Sequence, residues 1–472
     1  MASRDVASAR PSPYDLGEVH RKALLLGLVG FVLCVAASSP ASSSLPLDCT
    51  VFVGTGGDTI LVGSNEDYGN PVINVWFIPA ADERYGRFLI GAEGIVQGGL
   101  NEHGLVYDSL TIPSVEVAGD ERPLYTGMWP LHVLETCATV EEVVSFFEAH
   151  SFPGTWDNKA FFADAKGDAA VFEGSAVVRK SERFFVSTNF LQSEVEPAEI
   201  TCDRFLAATS MLQGTEQYSA ELFRDILDAV HAEYRGGAGT IYSTLYDLSA
   251  LTITCYLYHD YEHLVVFDLQ ERLALGEQAF ELRSAFPSNA AYESWRTGEI
   301  ETLAKQIASF RDEGTDPASF PDVVGHYVVS GGEPFLHPPL AIDSFSVECV
   351  GDRLSLVVCP EGLSFELFPR GSDRFRSAGM NQAADFDVAF DRDASGAVVG
   401  ATFLASAASV EVALEKVSDV PAFHPLPGFM VPFPEHEAIV PEPVSHASPV
   451  FWLGVGLAAL GLLGLAIALL SP

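Results

Sequence analysis

The sequence predicts an α+β sandwich, a small antiparallel β domain after it, and a membrane-spanning helix at the C-terminal end. From Cys49 onward, short strands alternate with tight turns, and helical periodicity is confined to stretches between strand groups. Strands and helices in separate runs argue for an α+β fold rather than a doubly wound sheet. From Pro321 to Asp419 the chain is almost wholly strand and turn, the pattern of a small barrel or sandwich. Val450 to Leu470 supplies twenty-one consecutive uncharged, mostly apolar residues, long enough at about 1.5 Å per residue to cross a bilayer core.

Each segment follows in order. Residues 1–48 read as signal peptide and propeptide: Arg4, Arg10, Arg21 and Lys22 precede the uncharged run Ala23 to Ser38, which ends in small residues. Residues 49–285 form the main domain. Its first hairpin is CTVFVG, the turn TGGD and TILVGSN, and further strand pairs flank Asn101-Glu102-His103-Gly104 and Ala165-Lys166-Gly167-Asp168. Apolar spacing predicts helices over Met128 to Glu148 and Ala220 to Glu233. Residues 286–318 read as a helical connector, 319–419 as the small β domain, 420–448 as a Pro-rich stalk and 449–472 as the transmembrane anchor. The expected location is therefore exported and anchored at the cell surface, with the membrane as a partner.

The 472 residues are 48% hydrophobic and 11% aromatic, with 26 Lys plus Arg against 64 Asp plus Glu and a net charge of −38. That apolar content excludes a disordered acidic tail. The charge excludes a nucleic-acid binder, since phosphate backbones are held by Lys and Arg. The length fits two or three domains. The cysteines show neither a dense disulfide framework nor a CxxC pair, and the histidines show no HExxH spacing, so no metal and no cofactor is expected. GTGG at 54–57 reads as a hairpin turn because no helix follows it.

The strongest chemical feature is Cys49. If everything before it is removed, one residue carries both a thiol and an α-amine. An amine of pKa about 8 is a competent base for a thiol of about 8.5, so nucleophile and base need no separate histidine. The mechanism requires cleavage of the Asp48–Cys49 bond.

CTVFVGTGGDTILVGSNEDYGNP resembles the start of the choloylglycine hydrolase and linear-amide C-N hydrolase family of N-terminal-nucleophile (Ntn) hydrolases, related to the acyl-CoA:6-aminopenicillanic acid acyltransferases. There a Cys-Thr start precedes an Asn-x-Asp motif. LNEHGLVYDSLTIP, FVSTNF, CDRF and LTITCYLYHDYEHLVVFDL are similar to later family segments in the same order, covering roughly Cys49 to Arg283. The resemblance implies a four-layer αββα sandwich. It also implies Cys49 as nucleophile, Asp67 as the carboxylate beside its amine, Asn189 as an oxyanion-hole donor and Arg204 as electrostatic support. Asn65 and Thr111 stand as substrate-binding or oxyanion candidates. The arginine that bile-salt hydrolases carry before Asn-x-Asp is Ser64 here, and their second oxyanion asparagine aligns with Thr111, which argues against a bile-salt substrate.

The expected activity is hydrolysis of a small-molecule linear amide through a thioester. An acyltransferase of the same superfamily and a non-catalytic surface binding protein are the alternatives, and a homo-oligomer is compatible with either.

Overall fold

A computed structural model describes residues 49–426, apart from 58, 93–94, 235–237, 312–316, 331–333, 339, 352, 381–385 and 406–409. Strands β1 (Thr50–Gly56) and β2 (Thr59–Tyr68) form a hairpin whose turn uses Gly57 in the left-handed region, at φ 62°. An antiparallel run follows: β3 (Ile73–Ile78), β4 (Arg87–Ala92), β5 (Ile95–Asn101) and β6 (Val106–Val117). Its last turn is built by Asn101, whose side-chain oxygen accepts from the backbone N–H of His103 and of Leu105, each at 3.0 Å.

The short strand β7 (Gly127–Met128) leads into α1 (Trp129–Thr136) and α2 (Val140–Ala149). The single helix expected over Met128 to Glu148 is therefore two. Thr139 starts the second: its hydroxyl accepts from Glu142 N at 3.3 Å while the Glu142 carboxylate reaches back to Ala138 N at 2.6 Å. A Thr-x-x-Glu pattern of this kind begins a helix rather than continuing one.

Next come β8 (Gly154–Ala163), β9 (Ala169–Glu173), β10 (Ala176–Arg179), β11 (Phe184–Ser187), α3 (Asp203–Gln213) and α4 (Ala220–Ala229). The domain ends with β12 (Gly239–Asp247), β13 (Thr252–Leu257), β14 (Asp260–Asp268), α5 (Leu269–Ala274), β15 (Gln278–Glu281) and α6 (Ala290–Phe310).

These strands form two sheets, one ordered β11-β1-β2-β12-β13-β14 and the other β10-β9-β8-β6-β5-β4-β3-β15. Strand alternation sorts their side chains. Val51, Val53 and Val62 face Val75, Phe77, Phe88 and Ile90 of the other sheet. On the outer face of the first sheet, Phe52 and Leu61 pack against Leu212, Phe223 and Ile226 of α3 and α4. Trp76, Leu89 and Tyr107 of the second sheet pack against Trp129, Leu134 and Phe147 of α1 and α2. The layers run helix, sheet, sheet, helix.

The remaining strands are β16 (Gly325–Val329), β17 (Phe335–His337), β18 (Leu340–Ile342), β19 (Ser344–Val350), β20 (Arg353–Val357), β21 (Ser364–Gly371), β22 (Arg374–Ser377), β23 (Phe386–Arg392), β24 (Val398–Ala405) and β25 (Val410–Ser418). Eight of them close into a barrel, because β16 pairs with both β19 and β25. Closure leaves no unpaired edge. The barrel meets the sandwich where β18 pairs with β7 and where buried Glu361 accepts from Tyr125 Oη at 2.9 Å and Met128 N at 3.2 Å.

The fold class is α+β with a closed eight-stranded barrel, and the expectation of a C-terminal transmembrane helix is corrected. Among the described residues no helix is long and apolar enough to cross a membrane. The longest, α6, has 21 residues but carries Glu293, Arg296, Glu299, Glu301 and Lys305. The stretches expected to be signal peptide, at 1–48, and anchor, at 449–472, lie outside the described residues. The membrane as a partner, the exported cell-surface location and the membrane-anchored form of the activity are corrected with the helix on which they rested. The described cysteines, Cys49 among them, are all free thiols.

Candidate active site

The β1–β2 hairpin pairs Thr50 with Asn65 and Gly56 with Thr59. Carried one residue further, that register sets Cys49 opposite Glu66. The Cys49 Sγ lies 3.5 Å from Glu66 Oε2 and 3.9 Å from the carbonyl oxygen of Asp67. Alternation divides β2 between two faces. Ser64 and Glu66 share the space between the sheets with Cys49, and Asn65 and Asp67 point toward the helices.

On that helix side, Asn65 Nδ2 donates to Leu227 O at 2.9 Å, and its Oδ1 accepts from Ser243 Oγ at 2.6 Å and Tyr261 Oη at 3.3 Å. Asn65 thus ties β2 to α4 and β12. The Asp67 carboxylate accepts from Thr240 Oγ1 at 2.5 Å, at a bulge in the β2–β12 pairing.

Arg204, in the first turn of α3, joins three of the other residues singled out in the sequence. Its guanidinium donates to Cys49 O at 2.7 Å, Thr50 Oγ1 at 2.6 Å and Asn189 Oδ1 at 3.1 Å. Asn189 Nδ2 in turn donates to Thr111 O at 2.9 Å, and Thr111 Oγ1 donates to Asn158 Oδ1 at 3.3 Å. Cys49, Arg204, Asn189 and Thr111 therefore form one hydrogen-bonded chain. Arg204 grips the Cys49 carbonyl, whereas the group against the thiol is the Glu66 carboxyl.

Electrostatics follow from that placement. Burial pushes the Cys49 thiol well above its ordinary value, and the carboxyls of Glu66 and Asp67 add to the shift. Glu66 is itself raised, first by burial and then by Asp108, which reaches it from β6 in the facing sheet. Burial pushes Asp108 up to about 7 despite hydrogen bonds from Ser64 and Glu66. In the uncut chain the Cys49 nitrogen is an amide; cleavage before residue 49 makes it an amine.

Two further residues escape a reading by motif. Lys159 and Glu173 form a wholly buried ion pair at 2.8 Å. Lys159 Nζ also donates to Phe190 O at 2.7 Å, while Glu173 accepts from Gln192 N at 3.0 Å and Ser193 N at 2.9 Å. The pair thereby holds the loop that carries Asn189. Burial lowers Lys159 to about 8. Burial alone would raise Glu173, but Lys159 and the loop N–H groups outweigh it and leave the carboxyl lowered. Among the described residues no cluster of three His, Cys, Asp or Glu is placed to hold a metal ion.

Residues 54–261 match the family model of acyl-coenzyme A:6-aminopenicillanic acid acyl-transferase. That span is similar to this acyltransferase family, whose model it matches. The matched span of this acyltransferase family contains Asn65, Asp67, Thr111, Asn189 and Arg204 and begins after Cys49. The chain is similar to penicillin V acylase from Agrobacterium tumefaciens at 16% identity, covering 52% of this chain and 98% of that one, with a TM-score of 0.41. It is also similar to a variant of conjugated bile acid hydrolase from Clostridium perfringens at 15% identity, covering 51% and 99%, with a TM-score of 0.42. No curated protein matches the chain. The match is consistent with amide-bond chemistry of the hydrolase and acyltransferase kind.

Proposed function

We propose that the protein is an Ntn-type cysteine amidohydrolase of linear amides, with Cys49 exposed as nucleophile by cleavage of the Asp48–Cys49 bond. The observation that carries this reading is the chain from Cys49 O through Arg204 to Asn189 and Thr111, which surrounds the residue that a single cleavage would arm.

In the reaction, Sγ attacks the substrate carbonyl and its proton passes to the freed α-amine, which Asp67 stabilises as an ammonium. One Asn189 N–H is held by Thr111 O, leaving the other to donate to the tetrahedral oxygen. Arg204 keeps the Cys49 backbone in place. The C–N bond then breaks, the amine leaves with the proton, and water resolves the thioester.

The test is the N-terminal residue and amide turnover of wild type and Cys49→Ala. Wild type is expected to begin at Cys49, and the variant to keep residues ahead of position 49 and to lose turnover. Normal turnover by Cys49→Ala would overturn the proposal. Transfer to a second amine is the reading favoured by the name of the matched family model. Added amines that change the product at an unchanged rate of acyl-enzyme formation would select it.

A further inference from the structure

The side chain that accepts the hydrogen bond of the Cys49 thiol has no part in the reaction just proposed. Glu66 faces Sγ directly across the hairpin at 3.5 Å, and its second oxygen accepts from Ser64 Oγ at 3.4 Å. Behind it stands Asp108, hydrogen-bonded to Ser64 and Glu66 from the opposite sheet. Glu66 is 1% exposed and Asp108 2%. Asp108 Oδ1 is buried with no hydrogen-bond partner among the described residues. Gly98 makes room beneath it, since a Cβ there would stand 3.3 Å from Tyr107 O and 3.5 Å from Asp108 Oδ2. Among the described residues the groups that act most on the two carboxyls are acidic or neutral, Asp108, Asp67 and Cys49 on Glu66 and Ser64 and Glu66 on Asp108. Two touching carboxyls in a dry interior cannot both ionise, so they hold one proton between them.

We propose that Glu66 and Asp108 are the positioning pair that governs when Cys49 loses its proton: Glu66 sets a shared negative charge beside Sγ, and Asp108 holds the proton that limits that charge. The pair keeps the thiol protonated while the Cys49 nitrogen is an amide. Once cleavage frees the amine, the thiol proton moves from sulfur to nitrogen, no other bond changes, and the new ammonium offsets the carboxyl charge. The purpose of the pair rests on Cys49 being the nucleophile, but its effect on the thiol does not.

The groups that act on the thiol are Glu66 and, from the other face of β2, Asp67, with Asp108 from β6, Tyr242 from β12 and Arg204 from α3, the last through the Cys49 carbonyl. Tyr246 of β12 also acts on the carboxyl pair from its own side.

The experiment is iodoacetamide labelling of the full chain from about pH 6 to about pH 10, spanning the ordinary thiol range. Labelling is followed on the Cys49 peptide by mass spectrometry, with the N-terminus read in the same samples. Glu66→Gln is expected to lower the pH midpoint by one unit or more, which is about tenfold faster labelling at neutral pH. Glu66→Asp keeps the charge and the wild-type midpoint. Asp108→Asn does not lower the midpoint, because Glu66 without its proton-sharing partner ionises more fully. A wild-type midpoint in Glu66→Gln overturns the proposal. So does an equal fall in Glu66→Gln and Asp108→Asn, which reports loosened packing. Absence of amide turnover with this split intact defeats the reaction proposed above and leaves the pair standing.

Discussion

Glu366 of the barrel and Glu66 of the sandwich are buried in opposite ways. In the barrel domain Glu366, 5% exposed, is met by the Arg353 guanidinium through two hydrogen bonds, and the core there is Tyr327, Phe345, Phe375, Phe386, Phe390 and Phe403. Between the sheets, the same alternation delivers Cys49, Ser64, Glu66 and Asp108 to the interior, and the two carboxyls have each other for company. Burying charge without a counter-ion is unfavourable, and such groups cluster where their ionisation is used. The difference separates a carboxylate neutralised inside a packed core from a carboxyl pair left beside the Cys49 thiol.

The largest expected effect comes from converting one kind of buried charge into the other. Lys159→Met leaves Glu173 buried without its partner and should cost about 3 to 5 kcal/mol in urea unfolding. Turnover should fall further than stability requires, because the Asn189 loop loses its anchor at Phe190 O. A loss of stability with unchanged turnover would detach the ion pair from the site.

Next is the pH dependence of stability. Asp108 is raised in the folded state to about 7, so its contribution to stability is present below the unfolded carboxyl pKa and is lost as pH rises through about 7. The effect is on the order of 1.4 kcal/mol for each unit of separation. Asp108→Asn should therefore gain on wild type as pH rises from about 4 to about 8, measured as urea midpoints. Parallel curves would show that the pair does not titrate with folding. Arg353→Met, which leaves the barrel's Glu366 without its partner at a partly exposed site, should cost less, roughly 1 to 3 kcal/mol.

How far these features were legible depends on distance along the chain. The β1–β2 register was available from the turn alone. Pairing Gly56 with Thr59 makes paired positions sum to 115, which puts Glu66 across from Cys49, yet a reading by motif stops at Asn-x-Asp and passes over its middle residue. The same arithmetic applies about Lys166, where paired positions sum to 332. Ala160 pairs with Phe172 there, so Lys159 falls opposite Glu173. Asn189 and Arg204 were reachable only through family resemblance, since no local spacing brings a residue to one 155 positions away. The split at Thr139 lay in a capping pattern that apolar periodicity overrides. At Tyr258 and His259 both turn residues are left-handed, at φ 53° and 49°, where Asn-Gly is the pair that local preference expects. Tyr258 stacks on Trp295 of α6, a tertiary contact that no reading of that hairpin alone contains.

The smallest expected effect tests whether the two regions are one folding unit. Glu361 is 4% exposed and accepts from Tyr125 Oη and Met128 N, so one barrel carboxylate closes the junction from which α1 departs. Glu361→Gln keeps the shape and one acceptor oxygen but removes the charge and turns the other acceptor into an amide donor, a loss of about 1 kcal/mol or somewhat more. The described tryptophans, Trp76, Trp129, Trp156 and Trp295, all lie outside the barrel, so their fluorescence reports the sandwich and α6. If the junction couples the two cores, Glu361→Gln lowers the urea midpoint of that fluorescence although the mutation sits on the barrel side. An unchanged tryptophan transition beside an earlier loss of β-sheet circular dichroism would mean that the barrel unfolds alone, and that the sandwich holds its unneutralised carboxyls without its neighbour's help.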